Sequence, residues 1–447
     1  MYKRELCELH SKQIWYDISM KATYRYGSLA LGFIVFLLFI PYMIGYVTGK
    51  KNLSRQSEST GIFAIRTTPV KADVYLNGSK VDTTPADLKF LSQGFYEISL
   101  QKSGYKAWRK TLQIIPGKVT WVNPEPLKLF MFPESPQTQN LESDVLDIET
   151  TGQDVFALKT GFIHMYSFAD GSLEKTLTVP ITMNQIRSWP GATVLLLSDG
   201  KQLVGLNVQN GQVQVLGATP DLFSTISITR DGSFVYTRSK ILYVETIGAA
   251  PATLATNVLS SYALGYGVYY VSKENGQVVL KHMQVSGSGS PVQTLDKAIP
   301  CPANCAIYVA GTKQIFIKSA NVLYRLSDGW ASMGDQVSNV VFDSSAPSLA
   351  YQNAGELNFY DFSEQKIWLI DRTGSQAQNM IFRGDLGYFF HLQNGSVQLL
   401  ELDRRGEQNY YSYSDENPVA KFFLSEDGKR IALLAGNTVK LLTIVAE

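Results

Sequence analysis

The sequence is poor in the side chains from which reactive centres are built. Of its 447 residues, 3 are Cys and 4 are His; charged residues make up 18% and the net charge is +1. Cys7 stands alone. Cys301 and Cys305, in Cys-Pro-Ala-Asn-Cys, have no second Cys pair or His beside them, which excludes a zinc site. His10, His164, His282 and His391 are scattered without metal-ligand spacing. The absence of a basic stripe excludes a nucleic-acid partner. No metalloprotease, nucleophile-elbow, phosphate-loop or dinucleotide motif occurs. Ser172 to Lys175 spells Ser-x-x-Lys, but in a turn context rather than on a helix. No catalytic, cofactor or metal-ligating residue is assigned.

A long uncharged run is present. No charge falls between Arg25 and Lys50, and Leu31–Ile40 is almost continuously apolar. As a helix, residues 26–49 would span about 36 Å, enough for a hydrocarbon core of about 30 Å. Tyr24, Tyr26, Tyr42 and Tyr46 lie toward its ends, where aromatic rings favour the interface. The run is too long and too far from the N-terminus for a cleaved signal, so an uncleaved anchor is expected, with the lipid bilayer as its partner. Lys3, Arg4, Lys12, Lys21 and Arg25 precede it and Lys50, Lys51 and Arg55 follow. That bias predicts a single-pass protein of the cell membrane. Residues 1–25 would form a cytoplasmic tail, 50–60 a polar stalk, and the remainder would lie outside the cytoplasm. In that compartment Cys301 and Cys305 would form a local disulfide; two reduced, buried thiols are the alternative.

Residues 61–115 read as short strands punctuated by turns. Pro69 and Ala72 are followed by Asn77-Gly78, a type I′ hairpin signal. Thr84-Pro85, Gly94 with Tyr96, and Gly104-Tyr105 come next. In order and spacing this segment resembles the PEGA domain family, although Pro-Val-Lys-Ala replaces the namesake tetrapeptide. The resemblance implies a small β-sandwich module of prokaryotic envelope proteins, with structural rather than catalytic motif residues. Residues 116–140, with Pro116, Pro124, Pro126, Pro133 and Pro136, read as a connector.

Beyond residue 141 one pattern recurs eight times at a spacing of about 40 residues: an apolar strand, a turn, and an alternating strand. Val155–Leu158 with Phe162–Phe168 opens the series, and Ile431–Leu434 with Thr438–Val445 ends it. Such a period predicts a β-propeller, of eight blades or of seven if one repeat is miscounted near Pro291–Cys305. The Asp-Gly turns at 199–200, 231–232, 328–329 and 427–428 resemble those of WD-like bacterial propellers. The last repeat has three strands before the chain stops, so an earlier strand must complete it. The apolar Leu127–Phe132 is the expected closing strand.

The expected fold is thus mainly β: a transmembrane helix, a PEGA-like sandwich and a propeller. The expected function is non-enzymatic binding of an envelope or extracellular protein or glycan. An envelope hydrolase or lyase using channel carboxylates is one alternative, with Asp144, Asp147, Asp343, Asp361 and Asp385 as the scattered acids. A signalling or assembly subunit is the other.

Overall fold

The computed structural model describes residues 36–37, 39–40, 60–123, 129–189, 193–285, 292–297, 299–302, 305–310, 314–327, 329–342, 348–372, 374 and 376–445. The expected tail, stalk and most of the expected membrane span lie outside them, as do His10 and Asp343. Phe36, Leu37, Phe39 and Ile40 are helical and exposed. Among the described residues no helix is long and apolar enough to cross a membrane.

Two compact units share the chain. The smaller comprises residues up to Ala64, Asp87–Tyr96 and Gln113–Trp121. Its centre is β1 (Thr60–Ile65), flanked by β5 (Ala86–Ser92) and β8 (Val119–Trp121). β1 and β8 run parallel, Ile62 opposite Val119. Gly61 permits this close approach, because a Cβ there would meet the Ile115 carbonyl oxygen at 2.7 Å. β8 falls within the stretch expected to be a connector with a strand only at Leu127–Phe132.

The larger unit holds the remaining motif residues and the repeats. β3 (Asp73–Leu76) and β4 (Ser79–Thr83) join through Asn77-Gly78, at φ of 49° and 81°, as a type I′ turn requires. They share a sheet with β6 (Gly94–Gln101) and β7 (Trp108–Ile114). The Thr84 hydroxyl accepts from the Ala72 amide (3.0 Å) and pairs with the Thr67 hydroxyl (2.5 Å), which brings the Pro69–Ala72 and Thr84-Pro85 segments together.

Among the described residues of the repeats, eight four-stranded antiparallel sheets follow one another. Blade 1 runs Asp147–Thr150, Asp154–Lys159, Phe162–Ser167 and Leu173–Thr178; blade 8 contains Val419–Leu424, Arg430–Ala435 and Thr438–Thr443. Second strands such as Val194–Ser198 are apolar without alternation because both their faces are covered. Leu195 and Leu197 face blade 1, while Val194 and Leu196 face blade 3. Each neighbouring pair of blades shares such a core, and the series closes: Ile148, Val155 and Ala157 of blade 1 pack with Ala432, Leu434 and Val439 of blade 8. First strands of most successive blades approach one another, as they do around the central channel of a propeller.

The closing strand is not Leu127–Phe132. It is β10 (Gln137–Glu142), antiparallel to Thr438–Thr443, with Gln137 opposite Thr443. Leu129–Phe130 (β9) instead pairs in parallel with Thr67–Thr68 (β2). The reason is burial. An outermost blade strand is open to water and tolerates Gln-Thr-Gln-Asn-Leu-Glu, whereas Leu129, Met131 and Phe132 are buried. Phe132 packs edge-on against Tyr388 of blade 7, at 4.8 Å between ring centroids.

Candidate functional site at the seam of the ring

The first strands of blades 8, 1 and 2 bring charged side chains together in the channel wall. Asp147 and Glu149 alternate with buried Ile148, so both carboxylates leave the strand on the same side. Lys421 of blade 8 stands 3.1 Å from Asp147 and 3.5 Å from Glu149. Asp147 also accepts from the amides of Ile148 (2.8 Å) and Ile186 of blade 2 (3.0 Å). Arg187 of blade 2 donates to the carbonyls of Phe223 (2.8 Å) and Ile226 (3.1 Å) and stacks on Trp189. Burial pushes the Glu149 carboxyl up to about 7 against the pull of Lys421. Its contribution to stability is therefore complete below about 4.5 and is lost as the pH rises through 7.

A second cluster surrounds the closing strand. Glu142 accepts from Tyr166 (2.7 Å), shares a 2.6 Å hydrogen bond with His164 Nδ1, and pairs with Lys159 (2.9 Å). Burial opposes its charge, but the bonds from Lys159, Tyr166 and His164 win and hold the carboxyl down to about 2.

Beyond Thr150 the wall opens into a cleft of about 870 Å³ formed by blades 7, 8, 1 and 2. Phe156, Met165, Ile381 and Phe423 supply apolar surface; Gln153, Lys175, Arg383, Asp385 and Glu426 supply polar groups. Arg383 is fixed by Asp385 (2.6 Å) and by the carbonyls of Ser425 (3.1 Å) and Glu426 (3.0 Å).

Of the acids singled out in the sequence, Asp147 lies in the channel wall and Asp385 in the cleft. Asp361 caps the turn to Ser363 and Glu364, away from both. Asp144 sits in a left-handed turn at φ 57°. Ser172 bonds to Asp170 (2.8 Å), whereas Lys175 donates to the carbonyls of Val208 (2.7 Å) and Gln209 (2.8 Å), so the Ser-x-x-Lys pair forms no unit. Among the described residues no group of acidic, His or Cys side chains is arranged to hold a metal. Cys301 and Cys305 are joined by a disulfide with 5.6 Å between Cα atoms, beside the core between blades 4 and 5. Glu149, Arg187, Lys421 and Glu142 were not singled out.

His282 lies over the Tyr269 ring (4.5 Å). His391 of blade 7 is fully buried, its ring nitrogens have no hydrogen-bond partner among the described residues, and burial lowers its pKa from 6.5 to about 4. Its neutral form favours folding above 6.5, a contribution lost as the pH falls toward 4. Between pH 7 and 5 this term should remove about 2 kcal/mol of stability. His391→Leu should abolish that part of the loss, as read by urea unfolding at the two pH values.

Residues 60–127 match the PEGA domain. No curated protein matches the sequence. Among solved structures, a eukaryotic initiation factor is similar at TM-score 0.46 and 9% identity, over 73% of this chain and 87% of that one. The Dos1 propeller is similar at 0.46 and 10%, over 70% and 95%. The WD40 domain of SCAP from fission yeast is similar at 0.44 and 13%, over 70% and 98%. Strand order and the closed series of cores make the repeats of this chain a β-propeller, preceded by a PEGA domain.

Proposed function

We propose that this is a membrane-anchored envelope protein, N-terminus in the cytoplasm, whose propeller binds a protein partner outside it. The cleft carries this reading. Apolar and polar side chains side by side, contributed by strands and loops of four blades, are the composition of a protein-recognition surface. Arg383, buried and bound to Asp385, Ser425 and Glu426, holds that part of the cleft wall in place before any partner arrives, which lowers the ordering cost of association. The uncharged run at 26–49 and its flanking charges support the anchor and the orientation.

A photo-crosslinking residue placed at exposed Gln153 or Gln209 of the full-length protein in native membranes should capture the same partner. One at Ile181, exposed but outside the cleft, should not. Equal capture at all three positions, or none at the first two, would overturn the assignment.

The hydrolase or lyase reading has one specific observation in its favour, a channel carboxyl raised to about 7 beside a second carboxylate. Against it, Asp147 is held by two backbone amides and Lys421, an arrangement that staples blades 8, 1 and 2 together.

A further inference from the structure

We infer that the smaller unit carries a lipid-contacting patch, with Phe90 and Phe95 seated in the headgroup region of the bilayer that holds residues 26–49. This rests on the anchor reading above.

Phe90 is 65% exposed and Phe95 is 70% exposed, on either side of the Ser92–Gly94 turn. Few large aromatic side chains of a soluble domain stay so open unless a surface covers them. Around a second turn, Ile115 and Val119 are 43% and 48% exposed. That turn lies against the first strand: Gly117 N donates to the Thr60 carbonyl (2.9 Å), and Ile62 N to that of Lys118 (3.2 Å). The first turn comes back to the same end. Arg66 Nη1 donates to the Ala86 carbonyl (2.9 Å), so β5 starts beside the far end of β1 and runs back along it. Tyr96, next to Phe95, packs edge-on against Phe63 of β1. The open apolar side chains therefore gather at the Thr60 end of β1, accompanied by exposed Lys89 and Lys118.

Chain length identifies the occupant. Residues 50–59 separate the uncharged run from Thr60. Even fully extended they reach about 36 Å, so the Thr60 end is confined near the membrane surface. Exposed Lys89 and Lys118 at this end favour anionic headgroups. Exposed Phe with adjoining Lys is the composition of an interfacial contact.

The test uses the full chain with Cys7→Ser, in vesicles of phosphatidylcholine and phosphatidylglycerol. An environment-sensitive fluorophore is attached at Phe90→Cys, Phe95→Cys or, as a control, Ile181→Cys. Brominated lipids should quench the label at 90 and at 95, most strongly with bromine about 5–10 Å below the headgroup boundary. The label at 181 should be unaffected. If the protein resists carbonate extraction but the labels at 90 and 95 are not quenched, the patch is refuted and the anchor stands. A blue-shifted but unquenched label at these positions also refutes it, because a second copy then covers them. Release by carbonate refutes the anchor and the patch with it.

Discussion

Replacing Lys110 by methionine is expected to destabilise the larger unit by about 3–5 kcal/mol, the usual cost of leaving buried charges unpaired. The Lys110 side chain is fully buried, 3.0 Å from Glu401 and 3.2 Å from Asp403, and donates to the Asp403 carbonyl at 2.7 Å. Trp108 Nε1 donates to the other Glu401 oxygen (3.1 Å), and Asn409 supplies two more donors to that carboxylate. Lys110→Met would strand two carboxylates in a site with little water. Urea unfolding of Lys110→Met, Glu401→Leu and the double variant would show it. The double variant should be less destabilised than the sum of the single changes, because removing both charges also removes a desolvation penalty. Additive losses would mean that the groups act independently.

Deleting Gln137–Glu142 should have the second large effect. Blade 8 would keep three strands, and the backbone groups of Thr438–Thr443 that now pair with β10 would face water. Glu142 would also be lost as the acceptor for Tyr166, His164 and Lys159. The deleted chain should elute as oligomers or aggregate, whereas deletion within 50–59 should leave the ring monodisperse, as measured by size-exclusion chromatography with light scattering. A monodisperse, fully folded product from the first deletion would show that ring closure needs no fourth strand in blade 8.

The middle strands of every blade were legible in the sequence. Residues such as Val194–Leu197 are apolar at every position because neighbouring blades cover both faces. First and fourth strands were less visible. Asp147-Ile148-Glu149-Thr150 presents charge to the channel, and Gln137–Glu142 presents polar groups to solvent, so both resemble loop sequence. Apolar character points to Leu127–Phe132 as the closing strand, but an outer strand does not need it, and Gln137–Glu142 closes the ring. Lys110 did leave a trace: it shares the inward parity of Trp108, Leu112 and Ile114 in a strictly alternating strand. A charge at that parity requires a buried partner, but Glu401 lies almost 300 residues away. The meeting of Asp147, Glu149, Arg187 and Lys421 likewise depends on ring closure, which no local pattern encodes.

The docking of residues 105–112 on blade 7 also determines how mechanical load travels through the chain. Tension pulling on the polypeptide from upstream would, on an unprotected chain, peel the closing strand from blade 8 one hydrogen bond at a time. Here it meets the β2–β9 pairing at Thr67–Thr68 and then Lys106, whose amide donates to the Phe132 carbonyl (2.8 Å) and whose ammonium donates to the Ser412 carbonyl (3.1 Å). It then meets Arg109, whose amide and carbonyl both pair with the Asn409 side chain, and finally Lys110 in its ionic socket. These bonds lie upstream of Gln137 and share the force among themselves. The ring is thereby relieved of strain that an anchored chain would otherwise transmit to its weakest seam.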